Sequence, residues 1–336
     1  MARIPEIFFT LLSDRNPGFS FYMSVMGRNL RFIPPGSLVE VTCRTIQGRL
    51  LLRPSRDLNE IVLGILGRAA RLYRVGVVHF VYLSNHAHLL LVPEDAEQLA
   101  LFMNYVNGNL AREAGRLHSW RARFWSRRYR AIVVSDEEEA QAARLRYLLT
   151  QGCKEGLVRN PRDWPGATAI ENLLDGSPVR GLWFDRTAES KAWRKGRPDK
   201  YDHAATESFE LAPLPAWEHM PDDQRRRRIA EMVSDVEAET RARLAATGRS
   251  PMGRRRIERA NPHDLPADPS RSPAPRFHAV SPTVRKQLVE AYRRFEESFR
   301  HAAEQLRHKL PYRFPAGSFP PHLPFQLHPD RRPPPI

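Results

Sequence analysis

The sequence predicts an α+β protein. Its first ordered block is a ferredoxin-like β-α-β-β-α-β unit, an antiparallel sheet with helices on one face, and one further helix follows it. Three observations predict this. Between residues 38 and 155, runs of period-two alternation and runs of helical spacing succeed one another in that order. The two middle strand-like runs are separated only by Ser84-Asn85, a connection short enough for a hairpin. Past residue 220 the chain changes to long, arginine-rich helical runs.

The elements follow in order. "LVEVTCRT" (38–45) alternates as a strand. "DLNEIVLGILGRAARLY" (57–73) places Ile61, Val62, Ile65, Leu66, Ala69 and Leu72 on one helical face. "VGVVHFVYLS" (75–84) is β-branched and aromatic, as a buried strand is, and "HAHLLLVP" (86–93) is a second strand closed by Pro93. "EDAEQLALFMNYVNGNLAREAG" (94–115) reads as a helix with acidic residues in its first turn, where the dipole favours them, and with Leu101, Phe102, Tyr105 and Leu110 turned to the core. "RYRAIVVS" (128–135) is the fourth strand. Ser135 and Glu138 have the spacing of a capping box, and the helix they open runs to about Gly156.

Five segments are expected: an N-terminal extension over 1–29, the α+β block over 30–172, a polar, Pro-rich linker over 173–220, a basic helical region over 221–310, and a Pro-rich tail over 311–336. Within the helical region, 222–248 turns Ile229, Met232, Val233, Val236 and Leu244 inward, 251–260 forms a short basic helix, and 272–279 is a loop. The run 283–310 carries the clearest stripe: Leu288, Tyr292, Phe295, Phe299, Ala303 and Leu306.

Lys and Arg number 53 against 38 Asp and Glu, a net charge of +15 that points to a polyanionic partner, nucleic acid before anionic membrane. The two cysteines are too few for a disulfide framework or a cysteine-based zinc site, and a reducing cytoplasm is expected. No run reaches membrane-spanning length. The stretch "HSWRARFWSRRYR" (118–130) interleaves Arg121, Arg123, Arg127, Arg128 and Arg130 with Trp120, Phe124, Trp125 and Tyr129. Arginines suit phosphates, and aromatic faces suit unpaired bases, so this run is the expected DNA surface, with Trp120 and Trp125 as stacking candidates.

His86 and His88 stand two apart in a strand, so both side chains leave the same face about 7 Å apart along the chain and can converge on one ion. The pair alone also suits two partly exposed histidines on a sheet face. Tyr147 and Gln151 lie four apart on the helix after the fourth strand, on one helical face. Gln151 offers a carbonyl oxygen suited to magnesium or manganese, and Tyr147 a phenolic oxygen able to attack phosphorus. Each residue alone also fits an ordinary helix position. The full set of H-x-H followed by Y-x-x-x-Q is far more specific.

With these residues in place, "LSNHAHLLL" resembles the histidine motif of the HUH single-tyrosine transposases. "FIPPGSLVEVTCRT", "FWSRRYRAIVV" and "RYLLTQGCKEGLV" resemble the REP-associated branch, in order, over about residues 30–172. The resemblance implies that His86, His88 and Gln151 hold a divalent metal, Mg2+ or Mn2+. It implies that Tyr147 is the nucleophile in single-stranded DNA near hairpins, leaving a 5′-phosphotyrosine link and a free 3′-OH. Two positions depart from the family: Ala87 stands where a bulky apolar residue is usual, and Gln151 where the REP-associated branch often has Asn. Neither removes a ligand. The expected function is a metal-dependent endonuclease and strand transferase with single-stranded or hairpin DNA as partner, as a monomer or a homodimer. A DNA-binding regulator without catalysis and an RNA-binding ferredoxin-like module are the other readings; neither requires the four residues together.

Overall fold

The computed structural model describes residues 30–196, 199, 201–266 and 275–319. The expected N-terminal extension (1–29) and the tail beyond 319 lie outside the described residues. The α+β block contains β1 (Val39–Arg44), α1 (Arg56–Tyr73), β2 (Gly76–Tyr82), β3 (His86–Val92), α2 (Ala96–Leu117), β4 (Arg130–Val134) and α3 (Glu138–Leu149). The strands lie in the order β2-β3-β1-β4, with antiparallel neighbours throughout. This is the expected ferredoxin-like arrangement.

Local sequence explains the element ends. Ser55 Oγ accepts from Leu58 N at the start of α1, and Asp95 Oδ1 accepts from Gln98 N at the start of α2. Leu83 N donates to His86 O, closing the two-residue β2–β3 turn. Thr45 ties that turn to the chain after β1, since its N and Oγ1 both donate to Asn85 O, at 3.0 and 2.9 Å.

Strand alternation sends the two sheet faces into different surroundings. Val39, Val41, Cys43, Phe80, Ala87, Leu89, Leu91 and Val133 pack with α1 and α2. Leu38, Val78, Leu90 and Val134 pack with Ala140, Leu145, Leu148 and Leu149 of α3 on the opposite face. A register shift between Val77 and His79 interrupts β2 and leaves His79 fully buried opposite Leu90. Among the described residues its ring nitrogens have no hydrogen-bond partner, and burial pushes the imidazole down to about 3, keeping it neutral.

Several expectations change. The capping box does not form. Ser135 Oγ donates instead to Glu137 Oε2, and Glu137 accepts from Val280 N and Ser281 N, so it serves a later helix. The third helix ends at Leu149 rather than near Gly156, and turns follow it. Leu72 and Leu101, expected to face inward, are 47% and 48% exposed at the edges of their helical faces.

The 173–220 segment, expected as a linker with local structure, carries regular elements. It follows α4 (Ile170–Asp175) with a hairpin of β5 (Val179–Phe184) and β6 (Ala204–Phe209), carrying α5 (Arg186–Trp193) between the strands. The hairpin covers the outer side of α1. A Cβ on Gly64 would stand 2.1 Å from the Leu182 backbone, and one on Gly181 2.3 Å from Gly64 N, so two glycines permit this approach of helix to strand. Arg68 and Arg71 both reach Glu207, at 2.8 and 2.9 Å.

The basic helical region contains α6 (Asp222–Thr247), α7 (Arg254–Arg259), β7 (Phe277–His278) and α8 (Pro282–Arg307). In α6, Ile229, Val233 and Val236 are buried as expected, and in α8 Tyr292, Phe295 and Phe299 are. The expected loop at 272–279 supplies β7, which pairs parallel with β4. On the other side Tyr82 N donates to Ala167 O and Ala169 N to Phe80 O, so residues 167–169 cover the β2 edge. Among the described residues no helix is long and apolar enough to cross a membrane.

Candidate active site

On the α3 face the sheet rows can be read from the register. Glu40 lies opposite Leu90 and Ile132, Thr42 opposite His88 and Arg130, and Arg44 opposite His86. Neighbouring strands lie about 4.8 Å apart, so Thr42 stands between His88 and Arg130 in one row, and Arg44 beside His86 in the next. One half of this face is apolar and covered by α3. The other half carries His86, His88, Thr42, Arg44 and Arg130.

The structure brings His86, His88 and Tyr147 together. The imidazole centroids are 5.1 Å apart, and the Tyr147 ring stands 5.8 Å from that of His88, nearly perpendicular to it. Each imidazole is held by Nδ1. His88 Nδ1 lies 2.8 Å from Glu40 Oε1, and His86 Nδ1 lies 2.6 Å from Asn85 Oδ1. Both partner atoms are acceptors, so each Nδ1 carries a proton, and in the neutral form of the ring Nε2 keeps the lone pair. Burial, together with the charges of His88 and Arg44, pushes His86 down to about 3. Two imidazoles oriented from behind through Nδ1 suit a divalent metal on their Nε2 atoms.

Glu40 is 1% exposed, and its carboxylate touches three groups. Oε1 accepts from His88 Nδ1 and from Thr42 Oγ1, the latter at 3.4 Å. Oε2 lies 3.0 Å from Arg144 Nε, an ion pair whose N–H direction falls short of a hydrogen bond. Burial alone would raise this carboxyl, but the His88 hydrogen bond and the charges of His88 and Arg144, with the Thr42 contact, outweigh it and hold the group below its ordinary value. Arg144 also lies over the Tyr147 ring at 5.0 Å, and Lys154 stands 5.1 Å from the same centroid. Two cations thus flank the phenol. Strand β7 adds His278 near this cluster. Burial and the Arg144 charge lower it, against the opposing pull of Glu40.

Gln151 lies beyond the end of α3 and is 4% exposed, not solvated. Its Nε2 donates to Tyr147 O at 3.0 Å, which fixes the amide against the helix end. No hydrogen bond joins it to His86 or His88 among the described residues.

In the 118–130 run, Arg121, Arg123, Arg127 and Arg128 are exposed, and Arg130 is half-buried on the site face. Arg123 Nε donates to Trp125 O. The aromatics are more occupied than the pattern suggests. Phe124 is buried; Trp125 packs on the core and donates to Asn107 O at 2.9 Å; Trp120 donates to Arg123 O and has Arg49 over its ring and His263 against it. Sequence reasoning passed over Glu40, Arg44 and Arg144. The alternation of "LVEVTCRT" held the signal for two of them, because it sets Glu40, Thr42 and Arg44 on the face opposite Val39, Val41 and Cys43.

No family model matches the chain, and no curated protein matches it. Among solved structures it is similar to a REP-associated tyrosine transposase bound to a REP hairpin, at 15% identity and a TM-score of 0.38, over 44% of this chain and 84% of that one. It is also similar to a candidate transposase from Deinococcus radiodurans R1, at 18% identity and a TM-score of 0.27, over 38% of this chain and 98% of that one.

Proposed function

We propose that the protein is a metal-dependent endonuclease and strand transferase for single-stranded DNA near hairpins, with Tyr147 as the nucleophile. One observation carries this reading: on the polar half of the sheet face, two imidazoles whose Nε2 atoms make no hydrogen bond among the described residues stand beside a tyrosine flanked by two cations. The preference for hairpins rests on the resemblance of the sequence motifs, and DNA as partner on the net charge and the exposed arginines at 121, 123, 127 and 128.

His86 and His88 would hold the ion through Nε2, with the Gln151 carbonyl as third ligand. A bound Mg2+ or Mn2+ supplies positive charge at the scissile phosphate. Arg44 and Arg130, in the same sheet rows, face the phosphates on either side. Tyr147 Oη forms the new bond to phosphorus, and the bond from phosphorus to the 3′ oxygen breaks. The phenolic proton leaves to solvent, and the released 3′ oxygen takes one up. Arg144 and Lys154 stabilise the phenolate as it forms, because a tyrosine with an ordinary pKa of about 10 is a weak nucleophile at neutral pH. The product keeps a phosphodiester linkage, so a 3′-OH can reverse the step without ATP.

The test is Tyr147→Phe on a labelled single-stranded hairpin substrate with manganese. The variant loses one oxygen and keeps its fold and DNA affinity, and the covalent adduct on a denaturing gel disappears. An adduct of normal yield would move the nucleophile elsewhere. DNA binding without any adduct from the wild-type protein would favour a non-catalytic regulator.

A further inference from the structure

We infer that Glu40 is a positioning residue that fixes the tautomer of His88 and links the metal-binding strand to the nucleophile helix. This rests on the reading of His86 and His88 as metal ligands. Glu40 does not lie in the rows of His86 and His88. It lies one row further under α3, buried, between a strand imidazole and a helix guanidinium.

The chemistry of the neighbours requires a carboxylate. His88 Nδ1–H, Thr42 Oγ1–H and the Arg144 guanidinium are all donors when His88 coordinates through Nε2, and an ionised carboxylate is acceptor-only. A Gln in the same space has one acceptor oxygen and one NH2 group. If its oxygen turns to Arg144, its NH2 meets His88 Nδ1, which must then become an acceptor. The ring proton moves to Nε2, and the lone pair that would bind the metal is lost. The reverse orientation would set the NH2 donor against the Arg144 guanidinium, also a donor, so an amide of nearly the same shape converts His88 from ligand to non-ligand. The second arm runs through Arg144, which holds Glu40 Oε2 at 3.0 Å while lying 5.0 Å over the Tyr147 ring. One carboxylate thus sets the metal-facing atom on β3 and the helix residue one turn before the nucleophile.

His86 contrasts with it. Its orienting group is the neutral side-chain amide of Asn85, a residue whose backbone carbonyl Thr45 holds at the turn. The two imidazoles are therefore held by independent supports, one in the core and one in the β2–β3 turn, and the core support alone reaches the tyrosine helix.

The test uses the full-length protein in two measurements. Long-range proton–nitrogen NMR correlations on histidine-labelled, metal-free protein read the His88 tautomer. Calorimetry with Mn2+ reads affinity. In the wild type the proton sits on Nδ1. In Glu40→Gln it shifts to Nε2, and Mn2+ affinity falls about 10- to 100-fold, the range typical for loss of a group that orients a metal-binding histidine. A purely structural role for Glu40 would lower stability without moving the tautomer. Wild-type affinity in Glu40→Gln, or an Nε2–H His88 in the wild type, overturns the proposal. The wild-type spectrum decides even if Glu40→Gln does not fold. If the wild type binds no Mn2+ at all, the metal reading itself fails. Binding by the wild type with unchanged affinity in Glu40→Gln removes the positioning role alone.

Discussion

The two faces of the central sheet come from the same strands and have opposite character. Toward α1 and α2, Val39, Val41, Cys43, Ala87, Leu89 and Leu91 form a closed apolar layer. Toward α3, Leu38, Leu90 and Val134 are covered, whereas Glu40, Thr42, Arg44, His86, His88 and Arg130 are the polar residues of the same strands. The cause is the two-residue period of a strand: every core residue in "VEVTCR" is followed by a residue aimed at the other face. The first face holds the sheet together, and the second can spend positions on chemistry because α3 ends at Leu149 and covers only part of it. Where a charge is nonetheless buried there, at Glu40, three donors compensate it, as an unpaired buried carboxylate could not persist.

The comparison predicts a separation between stability and function. Phe80 is fully buried on the closed face, and Phe80→Ala should cost about 3–5 kcal/mol in denaturant unfolding, since it leaves a large cavity in a packed layer. A loss under about 1 kcal/mol would mean that the closed face does not carry the fold. On the other face the effects should fall on metal rather than folding. His86→Ala and His88→Ala should each lower Mn2+ affinity by about 100-fold or more in calorimetry, since each removes a proposed ligand, with His86→Ala changing stability by less than about 1 kcal/mol because its side chain is only half-buried. Wild-type affinity in both would remove the metal assignment.

The smallest effect belongs to the layer outside α1. Glu207 is 7% exposed, while Arg68 and Arg71 are 29% and 54% exposed, so the network is partly screened and Glu207→Gln should cost about 1–2 kcal/mol near neutral pH. The Arg71 hydrogen bond, opposed by burial and aided by Arg68, holds the Glu207 carboxyl below its ordinary value. A depressed carboxyl contributes stability above its unfolded value, and that contribution disappears as pH falls through the folded value. The gap between wild type and Glu207→Gln should therefore narrow on acidification from the ordinary carboxylate range downward. Thermal melts of both proteins from pH 7 to pH 3 would show it, and a gap that widens on acidification would contradict the assignment.

Sequence by itself determined the β-α-β-β-α-β order, because hydrophobic periodicity and the short Ser84-Asn85 turn are local signals. It also determined that His86 and His88 share a face and that Tyr147 rides the following helix. Tertiary structure decided the rest. That α3 lies across the histidine face, that Glu40 reaches His88 and Arg144, and that Arg44 joins His86 all depend on strand order and register, which no local pattern encodes. The same holds for β7 and for the hairpin over α1. A two-residue strand such as Phe277–His278 has no periodicity to detect and forms only because the β4 edge offers unpaired backbone groups. The hairpin at 179–209 reads as polar because one side faces water, and only the Gly64–Gly181 approach gives its other side a place to pack. Periodicity reports which way a side chain leaves the backbone; what it meets there is fixed by residues distant in sequence.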